Sequence, residues 1–122
     1  MTEEDKKLLL TDLSARLPYF TKVQIKNEIV VLDSICDDDG YYFNFIGDDR
    51  EGVNIEKIKP YLFPLSSMTE EEKEEFDRLY TYDALIIEPQ WKLIDWLNKK
   101  HFDYRGLIEK GLAIDATNLN IY

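Results

Sequence analysis

The chain has 122 residues, 44% of them hydrophobic and 13% aromatic, and its 25 acidic against 15 basic side chains leave a net charge of −10. That apolar content excludes a disordered chain and the length fits one domain over 1–122, while the acidic balance argues against direct binding of nucleic acid or an anionic membrane. A single cysteine, Cys36, excludes an internal disulfide, and the acidic start Met1-Thr2-Glu3-Glu4-Asp5 with no long apolar run points to a cytoplasmic protein.

Thr2 and Asp5 stand at capping distance ahead of Leu9, Leu10, Leu13 and Leu17, whose helical spacing predicts an amphipathic helix stopped by Pro18. Val23 and Ile25 then alternate with Lys22, Gln24 and Lys26. After Asn27, Ile29, Val31 and Ile35 fall on one face and Val30, Leu32 and Cys36 on the other. The pattern predicts a tight hairpin whose second strand is central, with Cys36 as a small buried hydrophobe. Asp37 to Gly40 supplies turn residues, and Tyr41, Phe43 and Phe45 alternate with Tyr42, Asn44 and Ile46 in a third strand. Val53-Asn54-Ile55 is short enough for an edge strand. The expected class is α+β: an N-terminal helix covering a four-stranded antiparallel meander, an SH3-like small barrel with one open side.

Pro60 and Pro64 are expected to hold residues 58–68 out of regular structure, as a joint between sub-lobe 1–64, helix plus β-meander, and sub-lobe 65–122, mainly helical. Thr69 and Glu72 form a capping box that opens a second helix with Phe76, Leu79 and Tyr80 as buried candidates. Residues 82–87 are ambiguous, and their β-branched end is compatible with a short extra strand. Pro89 suits the first turn of a third helix with Trp91, Ile94, Leu97 and His101 on one stripe and Leu93 and Trp96 beside it. Asp103 is expected to cap a short helix through Lys110, with Gly111 in the left-handed cap and Leu112 folding back.

Side chains able to do chemistry are sparse. His101 is the sole histidine, so any Ser-His or Cys-His pair requires it, yet its place on an apolar stripe reads as a packed ring. Cys36 is followed by three aspartates, whose charge raises a thiol pKa and weakens it as a nucleophile. Asp37-Asp38-Asp39-Gly40 invites a calcium loop, but with Gly40 at the sixth position the first and twelfth are Ile35 and Ile46, so both obligatory carboxylates are missing. One Cys and one His do not furnish the usual zinc ligands. Tyr41 to Phe45 resembles the aromatic strand of RNA-recognition sheets, but aspartates precede it where those strands carry a basic residue. The five glycines never fall at a phosphate-loop spacing. No catalytic, cofactor or metal residue is assigned.

Three segments taken together resemble one family: Leu8-Leu9-Leu10-Thr11-Asp12-Leu13-Ser14-Ala15-Arg16-Leu17-Pro18-Tyr19, then residues 58–72 from Ile58-Lys59-Pro60 to Glu70-Glu71-Glu72, and His101-Phe102-Asp103-Tyr104-Arg105-Gly106-Leu107-Ile108-Glu109-Lys110-Gly111-Leu112. The likeness is to short proteins of unknown function from gut bacteria of the Bacteroides group and their phages or integrated elements. It implies a cytoplasmic, mobile-element-borne protein and carries over no activity and no site residue.

The acidic excess divides evenly, with 8 basic and 13 acidic residues in 1–60 and 7 and 12 in 61–122, so it is a property of the whole surface. The functional expectation is a non-enzymatic protein–protein interaction module of phage or mobile-element origin that offers an acidic surface to a basic protein partner. Asp37, Asp38, Asp39, Asp48, Asp49 and Glu51 are the candidate recognition face at one end of the barrel. The alternative is a small-ligand-binding protein or a minor hydrolase with its site between the barrel and the helices.

Overall fold

The computed structural model describes residues 1–37, 40–50, 52–84 and 90–122. It is an α+β fold with helices α1 (Glu3–Ala15), α2 (Glu70–Ala84) and α3 (Gln90–Lys99). Its strands are β1 (Lys22–Ile25), β2 (Glu28–Asp37), β3 (Tyr41–Phe45), β4 (Val53–Asn54), β5 (Ile58–Pro64), β6 (Phe102–Asp103) and β7 (Ile114–Asp115). They form one mostly antiparallel, open sheet in the order β4-β3-β2-β1-β5-β6, with β7 also on β5. Among the described residues the sheet is open and has seven strands, three more than the expected meander. Among the described residues no helix is long and apolar enough to cross a membrane.

The joint is where expectation and structure part most clearly. Residues 58–64 are not irregular but form β5, which pairs antiparallel with β1 and then, from Tyr61 onward, parallel with β7 and β6. Pro60 is tolerated because at 58–60 β5 has a paired strand on one side alone, so the missing N–H need not break a second ladder. One sheet therefore draws strands from both halves of the chain.

A one-residue bulge explains a second difference. Leu32 pairs with Phe45 but Ser34 pairs with Asn44, so Asp33 is an extra residue and the alternation of β2 flips beyond it. Ile35 joins Leu32 on the core face opposite Phe43, whereas Cys36, expected to be buried, is exposed.

Local end signals are realised in detail. Thr2 Oγ1 accepts the N–H of Asp5 at 3.1 Å, and Thr69 and Glu72 exchange the reciprocal bonds of a capping box at 2.9 and 3.1 Å. At Gly111 (φ +73°) the N–H bonds the Ile108 carbonyl at 3.1 Å and the Leu112 N–H bonds that of Leu107 at 2.9 Å, a Schellman pair closed by two buried leucines. The expected helix before it is a set of turns, because Gly106 (φ +73°) redirects the backbone. Asp103 does not cap a first turn; its two oxygens accept the N–H groups of Leu107 and Ile108 at 3.0 and 2.9 Å.

In α3 the buried face is Leu93, Trp96 and Leu97, while Trp91 is 61% exposed and Ile94 also faces out. Tyr80, expected to be buried, is exposed, although its ring stacks on Phe76. Of residues 82–87, 82–84 continue α2 and 85–87 lie outside the described residues, as does Pro89. Leu79 and the α3 face pack with Phe102 in one apolar cluster; α1, β1–β3, β5 and the Leu107–Ala113 turns close a larger one.

Beneath α1 lies an ion pair with no exposed surface: Arg16 Nε and Nη2 donate to the two oxygens of Asp12 at 2.8 and 3.1 Å, and both side chains are 0% exposed. Arg16 Nη2 also donates to the Phe102 carbonyl at 2.6 Å, and Arg105 Nη1 reaches Asp12 at 2.9 Å. Both guanidinium groups lie over the Tyr104 ring. Removing one partner leaves a buried charge uncompensated, so Asp12→Ala is expected to lower stability by about 3–5 kcal/mol. The solvent-screened Lys6–Glu56 pair supplies the control, since Lys6→Ala should move the unfolding midpoint far less than Asp12→Ala does. Urea unfolding measures both, and equal losses would contradict the burial argument.

Candidate functional site

A cleft of about 480 Å³ opens where the end of β5, the start of α2 and the end of α3 meet. Each wall comes from a local rule of chain geometry. Phe63 and Phe102 are paired across β5 and β6 and give an apolar floor, their rings 6.3 Å apart. Thr69 and Glu72 bring the capping box of α2, and Lys99 and Lys100 end α3, where cations oppose the negative end of the helix dipole.

His101 sits at the turn itself. Expected on the helix stripe, it instead follows the end of α3 with φ +62°, its N–H on the Asn98 carbonyl at 3.1 Å and its carbonyl accepting the Phe63 N–H at 2.8 Å. The reason is topological: α3 must stop for Phe102 to reach β5, and histidine enters the left-handed region more readily than a branched residue. The imidazole is half-buried and stacks on Tyr122 with centroids 3.9 Å apart, and Nδ1 is enclosed without a partner among the described residues. Burial, aided by the positive charges of Arg16 and Lys22, pushes its pKa down to about 4, so the ring is neutral at physiological pH.

Tyr122 is the residue sequence reasoning missed. Its hydroxyl accepts the Lys22 N–H at 2.9 Å and donates to the Tyr61 carbonyl at 2.8 Å, filling the place where β1 and β5 stop pairing. The residue as a whole is 42% exposed, but burial around the hydroxyl held between the two strands raises its pKa above the usual phenol value. The Lys22 ammonium lies over the same ring and donates to the Ile121 carbonyl. No pattern in 116–122 signals this role, but the run Lys99-Lys100-His101 in so acidic a chain was visible.

The acidic candidates are placed differently from the expectation of one cluster. Asp37 is exposed at the turn end of the β2–β3 hairpin, directly opposite Tyr41, while Asp48 and Asp49 follow the other end of β3. At about 3.3 Å per residue the length of β3 separates the two sets by about 13 Å. Asp48 is engaged by Arg50, through its backbone N–H at 2.9 Å and its Nε at 3.0 Å, and Arg50 also reaches Glu28. Asp49 is exposed. Asp38, Asp39 and Glu51 lie outside the described residues. Among the described residues no group of three or more His, Cys, Asp or Glu side chains is placed to hold a metal ion.

No protein-family model, curated protein or solved structure matches the chain.

The depressed pKa of His101 has a thermodynamic signature. Between its ordinary value of 6.5 and about 4 the unfolded imidazole is protonated and the folded one is not, so the unfolded state binds more protons and stability falls as pH drops through that window. Urea midpoints at several pH values should therefore decline more steeply for the wild type than for His101→Gln. Parallel curves would mean that the imidazole is solvated.

Proposed function

We propose that the chain is a non-enzymatic protein–protein interaction module of phage or mobile-element origin, acting in the cytoplasm, that presents carboxylates to a basic protein partner. The observation that carries this reading is the tip of the β2–β3 hairpin, where Tyr41, 49% exposed, stands directly opposite exposed Asp37. An exposed aromatic beside carboxylates combines an anchor with a charge to steer association. Neither Asp37 nor Asp49 has an ion-pair partner among the described residues, so their charge is not consumed within the fold. Of the two lysines in the cleft shared with Tyr41, Lys6 is held by Glu3 and Glu56, while Lys7 has no ion pair among the described residues.

On this reading the first five strands serve as an SH3-like small barrel that supports the hairpin. Three features favour that: β2 divides its length between β1 and β3, a 3-10 turn (Ile55–Lys57) joins β4 to β5, and β1 pairs with β5. A contact of ordinary size, about 800 Å² per partner, spans both the hairpin tip and the Asp48–Asp49 loop. The likeness of three motifs to phage and mobile-element proteins of gut bacteria supports the origin. Net charge of −10 supports a basic partner rather than nucleic acid.

Immobilised chain at low salt is expected to retain a basic protein from extracts of a gut bacterium and release it as salt rises. Asp37→Asn, Asp49→Asn and Tyr41→Ala combined should abolish that retention while leaving the melting temperature within a few degrees. Undiminished retention with unchanged salt dependence would remove the acidic face from the reading.

A further inference from the structure

We propose that the cleft beside His101 is a binding site for a small organic anion carrying a ring, with Lys99 and Lys100 holding the anionic group and Phe63, backed by the buried Phe102, and the imidazole meeting the ring. The site shares no residue with the acidic hairpin and goes beyond the interaction reading. At about 480 Å³ the cleft falls in the size range of small-molecule sites, and its lining joins an aromatic floor to a few polar groups.

Charge decides the ligand class. The protein as a whole carries ten more acids than bases, yet this cleft is lined by two adjacent lysines, and neither has a carboxylate partner among the described residues. The helix dipole accounts for one cation at the end of α3 but not for a paired set left open to a concavity. Glu72, the one acid on the wall, accepts the Thr69 N–H through Oε1, and against the two lysines it leaves the lining with one positive charge in excess. Lys22 adds a third ammonium behind Tyr122, so the positive character extends beneath the surface. Burial is the first cause of the low pKa of His101, and the charges of Arg16 and Lys22 add to it.

The second element is the aromatic set. His101 is neutral, so its ring presents a flat, weakly polar surface rather than a competing charge. Its position is fixed from three sides: backbone bonds to Asn98 and Phe63, and the stack on Tyr122, whose hydroxyl is in turn held by β1 and β5. A left-handed conformation on a residue other than glycine is kept only where the surroundings impose it. The wall is thereby preformed, which spares a ligand the entropy of ordering it. A bare inorganic anion would use the lysines alone and leave the aromatic floor wet. A ring with a carboxylate or phosphate uses both.

Titration of the isotope-labelled chain with phenyl phosphate, benzoate, inorganic phosphate and phenol tests this by NMR. Phenyl phosphate and benzoate are expected to give saturable shifts at Phe63, His101 and Phe102. Inorganic phosphate and phenol should bind at least about tenfold more weakly, since each lacks one half of the contact. Lys99→Ala with Lys100→Ala, both surface changes, should cost the organic anions about tenfold or more while the circular dichroism stays that of the wild type. The proposal is overturned by an absence of saturation up to about 10 mM, by a double variant that binds as the wild type does, or by inorganic phosphate binding as tightly as phenyl phosphate, which would leave an adventitious ion only.

Discussion

The fold depends first on the buried pair of Asp12 and Arg16. Two full charges without exposed surface are costly, and they persist because the carboxylate accepts N–H groups from Arg16 and Arg105 while Arg16 donates onward to the Phe102 carbonyl. Hydrophobic burial of Leu9 and Leu13 would bring α1 onto the sheet in many orientations. The directional bonds of Arg16 select the one in which the helix meets the start of β6. Arg16 Nη1 has no partner among the described residues, a residual cost that the Tyr104 ring partly offsets. The same contact ends α3 in the right place, because Phe102 is at once the acceptor for Arg16, a β6 residue and the ring packed on Trp96.

What was legible in the sequence was what depends on near neighbours. Thr2 before α1, the Thr69–Glu72 box and the Gly111–Leu112 cap each require residues within five positions, and each is present with good geometry. The mixed class with a mostly antiparallel sheet was also readable from alternation between residues 22 and 54. The misreadings have non-local causes. Nothing adjacent to Asp33 reveals that it is a bulge; that follows from pairing with β3, and it turns Cys36 outward. Pro60 and Pro64 argue against a strand until it is known that β1 pairs with residues 58–60 and that parallel partners arrive beyond Pro60 from residues 102–103 and 114–115. In α3 periodicity established that one face is buried but not which, and Trp91 lost to Trp96 because the floor of the second cluster is Phe102.

The two surfaces of interest differ in how they are built. The acidic hairpin is a local object, a turn with its flanking strands, and could be drawn from the sequence, although β3 holds its two sets of carboxylates apart. The cleft is assembled from four segments between Phe63 and Tyr122, so composition alone gave no hint of its walls. Its only advance signal was two lysines beside the lone histidine. A protein can thus carry a strongly negative surface and still enclose a locally positive concavity, since screening confines each to about 8–10 Å.

The phenol of Tyr122 has a further consequence for the order in which the molecule assembles. It completes the gap between β1 and β5 from a hundred residues away. Closing an unstructured loop of that length costs about 4 kcal/mol of chain entropy, whereas a phenolic hydrogen bond returns about 1 kcal/mol each. The wedge therefore cannot nucleate anything. It seats only after sheet and helices have already drawn residues 22, 61 and 101 together. The imidazole stacked on it belongs to that same late-forming layer, so the inner wall of the cleft is completed last as the molecule folds.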